Sequence, residues 1–380
     1  MSPILFLVAG AHFFNDIYMG FLTPLYPIIM DRFGLSLSLV GAVSMVAALA
    51  SALSQPFFGM LFDRFGISAS LYLAPLLTGL LVSCLGIAPS FTVFLVILCL
   101  GCLGSAAFHP KGASVTPTLS GSHAAVGMAI FSAGGNLGFA AGPAVIAYFI
   151  SVWGFRATPV LAVPAAVAAG SLALLLPVNE LRTRVARSAR IGLRALVANR
   201  TDRAMLLRLV FINFSLTVGV RSLSTFLPVY MAQHGAPVTS IGALFTAMLA
   251  LGAIASIFVS TLSHRTGKRG LILVSISLGA PLAVAGYLFF GSTAGVVLII
   301  AAGTVLTFSN PLLILMAQKH SGNSPAMAAS LIMGLSWGLA GLAMVPLGSL
   351  GEALGLPVMM VVGGAFPLLS VVSCLRIPRD

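Results

Sequence analysis

The chain alternates between long apolar stretches and short breaks rich in glycine, proline and polar residues. A helix of about 20 apolar residues is long enough to cross the hydrocarbon core of a bilayer. Twelve stretches approach or exceed that length, at approximately 3–30, 36–62, 69–88, 91–110, 122–152, 157–177, 204–231, 238–262, 270–290, 293–317, 323–350 and 356–375. The pattern therefore predicts an all-α membrane protein with twelve transmembrane helices.

One long polar connection, residues 178–203, separates the first six stretches from the last six. Shifting the second half back by 201 positions brings its prolines and glycines into register with those of the first half. The coinciding pairs are Pro27 and Pro228, Gly34 and Gly235, Gly41 and Gly242, Arg64 and Arg265, Gly66 and Gly267, and Pro110 and Pro311. Parallel six-helix repeats are typical of secondary transporters. The sequence thus predicts six-helix bundles at 1–177 and 204–380, joined by a basic linker at 178–203.

Composition favours a membrane protein over a soluble one. Apolar residues make up 59% and charged residues 7% of the chain, whereas soluble domains contain about 25% charged residues. The net charge of +12 does not indicate nucleic-acid binding, because the central connection concentrates Arg182, Arg184, Arg187, Arg190, Arg194, Arg200 and Arg203. Cys99 and Cys102 lie in an apolar stretch with no accompanying histidine cluster, so we expect buried thiols and neither a metal nor a cofactor.

The distribution of lysine and arginine predicts the orientation in the membrane. With a cytoplasmic N-terminus, the cytoplasmic connections and the C-terminus hold 15 of these residues, and the outer connections hold only Arg32 and Arg156. Such an excess marks the cytoplasmic side. We therefore expect a multi-pass protein of the bacterial inner membrane with both termini in the cytoplasm.

A spaced motif follows the second stretch and recurs in the second half. It reads Gly59-x-x-x-Asp63-Arg64-x-Gly66, and the second copy keeps Arg265 and Gly267 but has His264 in place of the acid. The first copy resembles the signature loop of the major facilitator superfamily, whose fold consists of two pseudo-symmetric six-helix bundles. The resemblance implies a gating latch at the cytoplasmic ends of neighbouring helices. The alternative is a solvated loop pair that contributes at most about 1 kcal/mol.

The fifth stretch carries Gly138-x-x-x-Gly142-Pro143. Two glycines four residues apart form a groove that permits close helix packing. With the following proline, the run resembles the antiporter motif of the same superfamily. The resemblance implies an exporter in which this helix packs the two halves tightly and limits leak.

Two further strings narrow the resemblance. The first stretch contains His12-Phe-Phe-Asn15-Asp16, and the fourth ends in Phe108-His109-Pro110, followed later by the run that contains Asn136. Together they resemble the fosmidomycin-resistance branch of the superfamily. That resemblance implies proton-coupled export of a small, often anionic, drug. Lys111 departs from the branch, because an acidic residue is expected after the histidine and proline.

Two charged residues lie deep inside the predicted helices, Asp16 in the first and Arg221 in the seventh. Charges within a membrane are costly and usually mark a transport pathway or an ion pair. Asp16 is interpreted as the proton carrier, because a carboxyl group gains or loses its proton as its access to water changes. Arg221 is interpreted as the substrate anion site, because its planar fork suits carboxylate or phosphonate groups, or else as a counter-ion that releases the proton from Asp16. The alternative is a static ion pair between the two halves.

Several polar and aromatic residues join these charges as candidates. His12 lies one helical turn before Asp16 and is interpreted as a proton relay, or else as a packing residue. Asn15, Asn136, His109 and Trp337 are candidates for substrate binding. Hydrogen bonding between helices accounts equally well for Asn136, and capping of a proline-broken helix accounts for His109.

The function predicted is proton-coupled secondary active transport, with a drug or small anion exported in exchange for protons by alternating access. The alternatives are an uptake symporter for an organic anion and a flippase for a lipid or another amphiphile. An enzyme is not expected, because the chain has no H-E-x-x-H motif and no paired intramembrane aspartates. The expected partners are a small-molecule substrate, protons and the lipid bilayer, and the protein is expected to be a monomer.

Overall fold

The computed structural model describes residues 2–65, 69–176, 200–320, 328 and 331–378, and the secondary structure of these residues is entirely helical. Twelve of the described helical segments are long and apolar enough to cross a membrane, which confirms the predicted fold class. The first six spans are Ile4–Met19 with Leu22–Phe33, Leu37–Phe65, Ser70–Ser83 with the 3₁₀ turn Cys84–Ile87, Phe91–Ser120, Ala124–Trp153, and the 3₁₀ helix Phe155–Leu161 with Ala162–Leu175.

The last six spans follow the same plan. They are Arg200–Gln233, Val238–Thr266, Lys268–Leu288, Thr293–Phe308 with Asn310–Lys319, the π-helical turn Leu331–Leu335 with Ser336–Leu354, and Leu356–Ala365 with the 3₁₀ helix Phe366–Ser370 and Val371–Leu375. The spans are numbered 1 to 12 in this order below. Most of the predicted linker, 178–203, lies outside the described residues.

Large apolar side chains are exposed along the spans. Leu174 is 89% exposed, Leu288 72% and Ile257 69%. Water would penalise such a surface, because each exposed apolar side chain forfeits burial worth about 1.5–3 kcal/mol. Lipid removes that penalty, and the helices satisfy their own backbone hydrogen bonds within each span. The exposed surface therefore fits a bilayer.

The chain divides into two compact units. Unit 1 comprises Met1–Phe33, Leu49–Val185 and Gly235–Thr246, and unit 2 comprises Gly34–Ala48, Ala186–His234 and Ala247–Asp380. Each unit thus includes the first part of a span from the other half of the sequence. The two exchanged segments begin at Gly34 and Gly235, which correspond at the shift of 201 positions.

The internal repeat is visible in the packing of each unit. Within unit 2, a Cβ atom added to Gly41 of span 2 would collide with the backbone carbonyl of Met344 in span 11. Within unit 1, a Cβ atom on Gly242 of span 8 would lie 2.5 Å from the carbonyl oxygen of Pro143 in span 5. Both partners of one contact match both partners of the other at the shift of 201. The repeat therefore extends from the sequence to equivalent backbone approaches.

Span 4 is longer than the sequence analysis predicted. Its helix continues through Pro110 to Ser120, because transmembrane helices tolerate a proline whose freed backbone groups find other partners. Lys111 was counted among the 15 cytoplasmic basic residues because the predicted fourth stretch ends at 110, but it is inside this helix and only 3% exposed. The statement that Asp16 and Arg221 are the two deep charges is therefore wrong. Moving Lys111 into a span leaves the excess of basic residues on the cytoplasmic side almost unchanged.

Candidate functional site

Three titratable side chains meet inside unit 1. Nε2 of His12 lies 3.2 Å from Oδ2 of Asp16, and Nε2 of His109 lies 3.7 Å from Oδ1 of the same carboxylate. The side chains of Asp16 and His12 are 16% and 11% exposed, and that of His109 is 29% exposed. We call His12, Asp16 and His109 the acid cluster. Two of its members were predicted for proton coupling, and the structure adds His109, which the sequence suggested for substrate binding.

The hydrogen bond at Nδ1 fixes the orientation of the His12 ring. Nδ1 lies 2.8 Å from the backbone oxygen of Phe131 in span 5. A carbonyl oxygen can only accept a hydrogen bond, so Nδ1 carries the proton and donates it. The ring is also stacked on the Phe131 ring at a centroid distance of 4.1 Å. It covers Gly135, where an added Cβ atom would collide with the ring. These contacts hold the His12 ring so that its Nε2 atom faces Asp16.

This orientation makes the contact between His12 and Asp16 depend on a proton. In a neutral imidazole whose Nδ1 is protonated, Nε2 is an acceptor, and both oxygens of an ionised carboxylate are acceptors too. Two acceptors 3.2 Å apart repel each other. The contact becomes attractive when one proton occupies the gap, either on His12 or on Asp16. The contact between His12 and Asp16 is therefore repulsive or attractive depending on whether a proton is present.

The arrangement around the carboxylate suits protons better than one metal ion. The ligand atoms of His12, Asp16 and His109 all lie within 4.8 Å of one another. However, His12 faces Oδ2 and His109 faces Oδ1, so the two rings approach opposite oxygens instead of converging on one point. A single transition-metal ion draws its ligands to about 2.0–2.2 Å from a common centre. A proton passed between neighbouring groups needs no common centre.

Asn15 forms a hydrogen bond to the carboxylate of Asp16 and links it to two neighbouring spans. It is completely buried, and its Nδ2 donates to Oδ1 of Asp16 at 2.8 Å and to Oγ of Ser105 at 2.9 Å. Its Oδ1 accepts a hydrogen bond from Oγ1 of Thr78 at 3.2 Å. Asn15 thus joins spans 1, 3 and 4 and positions the Asp16 carboxylate, while its predicted role in substrate binding stays a prediction. The sequence analysis missed Thr78 and Ser105.

His109 is the most exposed member of the acid cluster. Its ring stands edge-on to the His12 ring at a centroid distance of 5.1 Å. Its Nδ1 atom is buried and has no hydrogen-bond partner among the described residues. A histidine ring whose other nitrogen faces a carboxylate can exchange a proton with that carboxylate. His109 thus extends the acid cluster from span 1 to span 4.

A second polar group surrounds Arg221 in unit 2. Nη1 of Arg221 donates to Oγ of Ser44 at 2.9 Å, and Oγ1 of Thr225 donates to the same oxygen at 3.0 Å. The guanidinium carbon lies 5.0 Å from the centre of the Trp337 ring. We call Arg221, Trp337, Ser44 and Thr225 the basic cluster. The structure brings together the predicted Arg221 and Trp337 and adds two hydroxyl groups that the sequence analysis missed.

The glycines of the antiporter-type motif pack span 5 against span 1. Cβ atoms on Gly138 and Gly142 would collide with the backbone carbonyls of Phe13 and Ile17. The proline end of the motif faces span 8 within the same unit, because Ala144 N–H donates to Oγ1 of Thr246 at 3.0 Å. The glycines thus hold together two spans of one half, and only the proline end joins spans from both halves. Asn136 is exposed and lies outside both clusters.

The gating-loop residues are only partly described. The backbone of Gly59, Asp63 and Arg64 belongs to the helix Leu37–Phe65, while their side chains and the whole of Gly66 lie outside the described residues. In the second copy, Arg265 is exposed. Gly267 has φ 79° and begins the helix Lys268–Leu288, a conformation that favours glycine. The latch predicted for these residues stays a prediction.

Twelve apolar spans, a two-unit packing with an internal repeat, and charged residues within the spans are typical of helical membrane transporters. The family model described as Major Facilitator Superfamily matches residues 8–345. The chain belongs to this superfamily and is a transporter, not an enzyme. The predicted superfamily membership is thus confirmed.

Known relatives and solved structures agree with this family. The chain is 25% identical to the MFS-type transporter YfnC of Bacillus subtilis (strain 168), over 100% of this chain and 93% of YfnC. It is 24% identical to the Fosmidomycin resistance protein of Escherichia coli (strain K12), over 97% of this chain and 91% of the relative.

Two solved structures are similar to this fold. One is a point mutant of the nucleoside transporter NupG, with a TM-score of 0.78, 14% identity, and coverage of 98% of this chain and 99% of that one. The other is a bacterial homologue of the human lysosomal transporter Spinster, inward-facing and unoccupied, with a TM-score of 0.72, 18% identity, and coverage of 98% and 97%. At these identities the likeness concerns the fold alone.

Proposed function

We propose that this transporter exchanges protons for a small organic anion and exports the anion from the cytoplasm by alternating access. The single observation that carries the proposal is the acid cluster, in which His12 and Asp16 attract each other only when they share a proton. A buried group of this kind couples transport to the proton gradient, because its protonation depends on which side of the membrane reaches it. The relation to a fosmidomycin resistance protein supports the export direction.

In the proposed cycle, His109 receives a proton from the outer side and passes it to the pair formed by His12 and Asp16. The loaded pair is neutralised and tolerates an apolar, closed surrounding. When the acid cluster faces the cytoplasm, the proton leaves and the carboxylate becomes charged again. Protons thus move inward once per cycle, down their gradient, and supply the free energy for the outward movement of the substrate.

The substrate side of the cycle is assigned to the basic cluster. Arg221 stays charged throughout, and its planar fork binds carboxylate or phosphonate oxygens in pairs. Ser44 and Trp337 hold the guanidinium group from two directions, which reduces the loss of side-chain entropy on binding. The proposed cargo is therefore a small anion with an apolar part that the Trp337 ring can contact.

The remaining features of the proposal concern the surroundings of the two clusters. Asp63, Arg64 and Arg265 are proposed to latch the cytoplasmic helix ends during gating. The protein is proposed to act as a monomer in the bacterial inner membrane, with six-helix bundles at 1–177 and 204–380 and both termini in the cytoplasm. The distribution of lysine and arginine supports that orientation.

The test uses purified protein in proteoliposomes with an imposed pH gradient and labelled fosmidomycin as the probe. We expect transport to follow the pH gradient in the wild type and to fall to the level of empty liposomes in Asp16→Asn. Asp31→Asn is the matched control, because Asp31 is an exposed carboxylate at the end of span 1. Equal gradient-driven transport by Asp16→Asn and the control would show that Asp16 carries no proton.

The direction of transport is tested separately in cells. Expression should lower the accumulation of labelled fosmidomycin if the protein exports it. An increase would instead favour the uptake symporter, and movement of lipid probes across proteoliposomes without fosmidomycin transport would favour the flippase.

A further inference from the structure

A cleft opens at the end of unit 1 where span 1 ends, span 4 begins and span 5 turns into span 6. It has a volume of about 500 Å³ and is lined by Arg32, Phe33, Ile87, Pro89 and Arg156. Two of its five lining residues are arginines. In the orientation proposed above, they are the two basic residues of the outer connections. Both basic residues of the outer connections thus line this one cleft.

Arg32 is held in the wall of the cleft by neutral groups. Its Nη1 and Nη2 atoms donate to the backbone oxygens of Gly86 and Ala88 at 2.5 and 2.7 Å. Its guanidinium carbon lies 5.1 Å from the centre of the Phe33 ring and 5.5 Å from that of Phe155. Carbonyl oxygens and aromatic faces orient a guanidinium group but carry no net charge. The charge of Arg32 is thus fixed in place without being neutralised.

Arg156 contributes a second charge to the cleft. It is exposed, and it forms no hydrogen bond or ion pair with the residues that the structure describes. Asp31, which precedes Arg32 in the sequence, is exposed and does not line the cleft. Clefts lined by charges of one sign concentrate counter-ions, and arginine pairs are well suited to phosphate oxygens.

We propose that this cleft binds the phosphate group of an anionic phospholipid. The apolar part of the lining supports a lipid over a free anion. Ile87 is 54% exposed beside the two cations, and Phe33 and Pro89 complete an apolar wall. A phospholipid places a phosphate next to hydrocarbon at the depth where arginine side chains reach the interface. The cleft matches both parts of that ligand and is separate from both clusters used for transport.

The fluorescence of Trp153 can report lipid binding at the cleft. Trp153 precedes Arg156 by three residues, so their Cα atoms lie at most about 11 Å apart, and it is 58% exposed. The chain has only two tryptophans, so Trp337→Phe leaves Trp153 as the sole source of indole fluorescence. Quenching by brominated phosphatidylglycerol, compared with brominated phosphatidylcholine, then measures lipid preference beside the cleft in the purified full-length protein.

We expect phosphatidylglycerol to be preferred over phosphatidylcholine, and Arg156→Gln to reduce that preference by about fivefold, the usual contribution of one basic residue near a lipid surface. Lys319→Gln is the control, because it removes an exposed charge at the end of span 10 and should leave the preference unchanged. Equal preferences in Arg156→Gln and Lys319→Gln would overturn the proposal.

Inorganic phosphate distinguishes the two sources of the phosphate group. Added at millimolar concentration, it should not displace brominated phosphatidylglycerol from the wild type. Displacement at that concentration would show that the cleft binds a free anion, and it would overturn the proposal of a lipid site. The quenching assay measures lipid binding and involves no transport. A negative result would therefore leave the proposed antiport untouched, and a failure of the antiport would leave the lipid site untouched.

Discussion

Spans 1 and 7 are repeat partners, and their comparison separates scaffold from chemistry. In span 1, Nδ1 of His12 bonds to the carbonyl of Phe131 at 2.8 Å. In span 7, Nδ2 of Asn213 donates to the carbonyl of Ile332 at 2.7 Å. Both the donors and the acceptors correspond at the shift of 201 positions. The repeat thus preserves a specific side-chain bond between its first and fifth helices, although the residue that makes it has changed.

The difference between the two spans lies in what surrounds that bond. One turn further on, span 1 has Asp16 where span 7 has Thr217, whose hydroxyl donates back to its own helix at the carbonyl of Asn213. Another turn on, span 1 has Gly20 where span 7 has Arg221. Substitutions at three positions on one helix face therefore gave one half a protonatable group and the other a permanent cation. The helix packing of the two halves is thus symmetric, whereas their charged residues are not.

Converting His12 to its repeat equivalent should have the largest effect. In His12→Asn the amide can still donate to the carbonyl of Phe131, but the His12 nitrogen that faces Oδ2 of Asp16 is lost and only His109 remains beside the carboxylate. We expect expression and thermal stability close to those of the wild type, with gradient-driven transport reduced to background. The measurement is the pH profile of labelled fosmidomycin transport in proteoliposomes.

The matched control for that change is His234→Asn. His234 is an exposed histidine at the end of span 7 whose Nδ1 bonds to the carbonyl of Tyr230. It should keep the wild-type pH profile. If His12→Asn also kept it, the asymmetry between spans 1 and 7 would have no role in coupling.

Changes at Arg221 test the other side of the comparison. Arg221→Gln removes the charge and should weaken anion binding by about tenfold or more, as expected for a lost charged hydrogen bond of about 1.5–3 kcal/mol. Arg221→Lys keeps the charge but loses the fork, and should fall between the wild type and Arg221→Gln. Fosmidomycin binding to the purified protein provides the measurement, and equal affinities in all three proteins would remove Arg221 from the substrate site.

The two halves also differ in how closely their first and fifth helices pack. Gly138 in span 5 allows close contact with span 1, whereas its repeat equivalent is Leu339, which is 38% exposed. Gly138→Ala should lower the free energy of unfolding by about 1–3 kcal/mol, because the added methyl group meets the backbone of Phe13. The midpoint of thermal unfolding in detergent measures this loss.

Gly170→Ala is the control for packing. Gly170 has nothing within 4 Å of the added Cβ atom, so alanine should be neutral or slightly stabilising there. A loss of the same size at Gly170 and Gly138 would show that the contact with span 1 does not decide the result.

The smallest effect on transport is expected at Asn213. Asn213→Ala leaves the carbonyl of Ile332 without its buried donor, which should cost about 1–3 kcal/mol of stability, at the lower end if water replaces the amide. The pH profile of transport should not change, because Asn213 does not titrate. A shift of that profile would show that the bond to Ile332 is part of the coupling device and not only of the scaffold.

The sequence predicted the spans and the charged centres of both clusters, because apolar stretches and intramembrane charges are conspicuous in a single chain. It could not predict the partners of those charges. Ser44 reaches Arg221 from a distant span, and a serine in an apolar helix carries no mark of that contact. Lys111 was misplaced because Pro110 was interpreted as a helix end. His109 was predicted inside span 4, but a single sequence does not show that its ring lies beside Asp16.

Proton release on substrate binding tests the central claim most directly. Purified protein in weakly buffered detergent solution is mixed with fosmidomycin, and a pH indicator counts the protons that leave. The wild type should release protons on binding, and Asp16→Asn should bind fosmidomycin without releasing any. Equal proton release by Asp16→Asn and the wild type would contradict the assignment of coupling to the acid cluster.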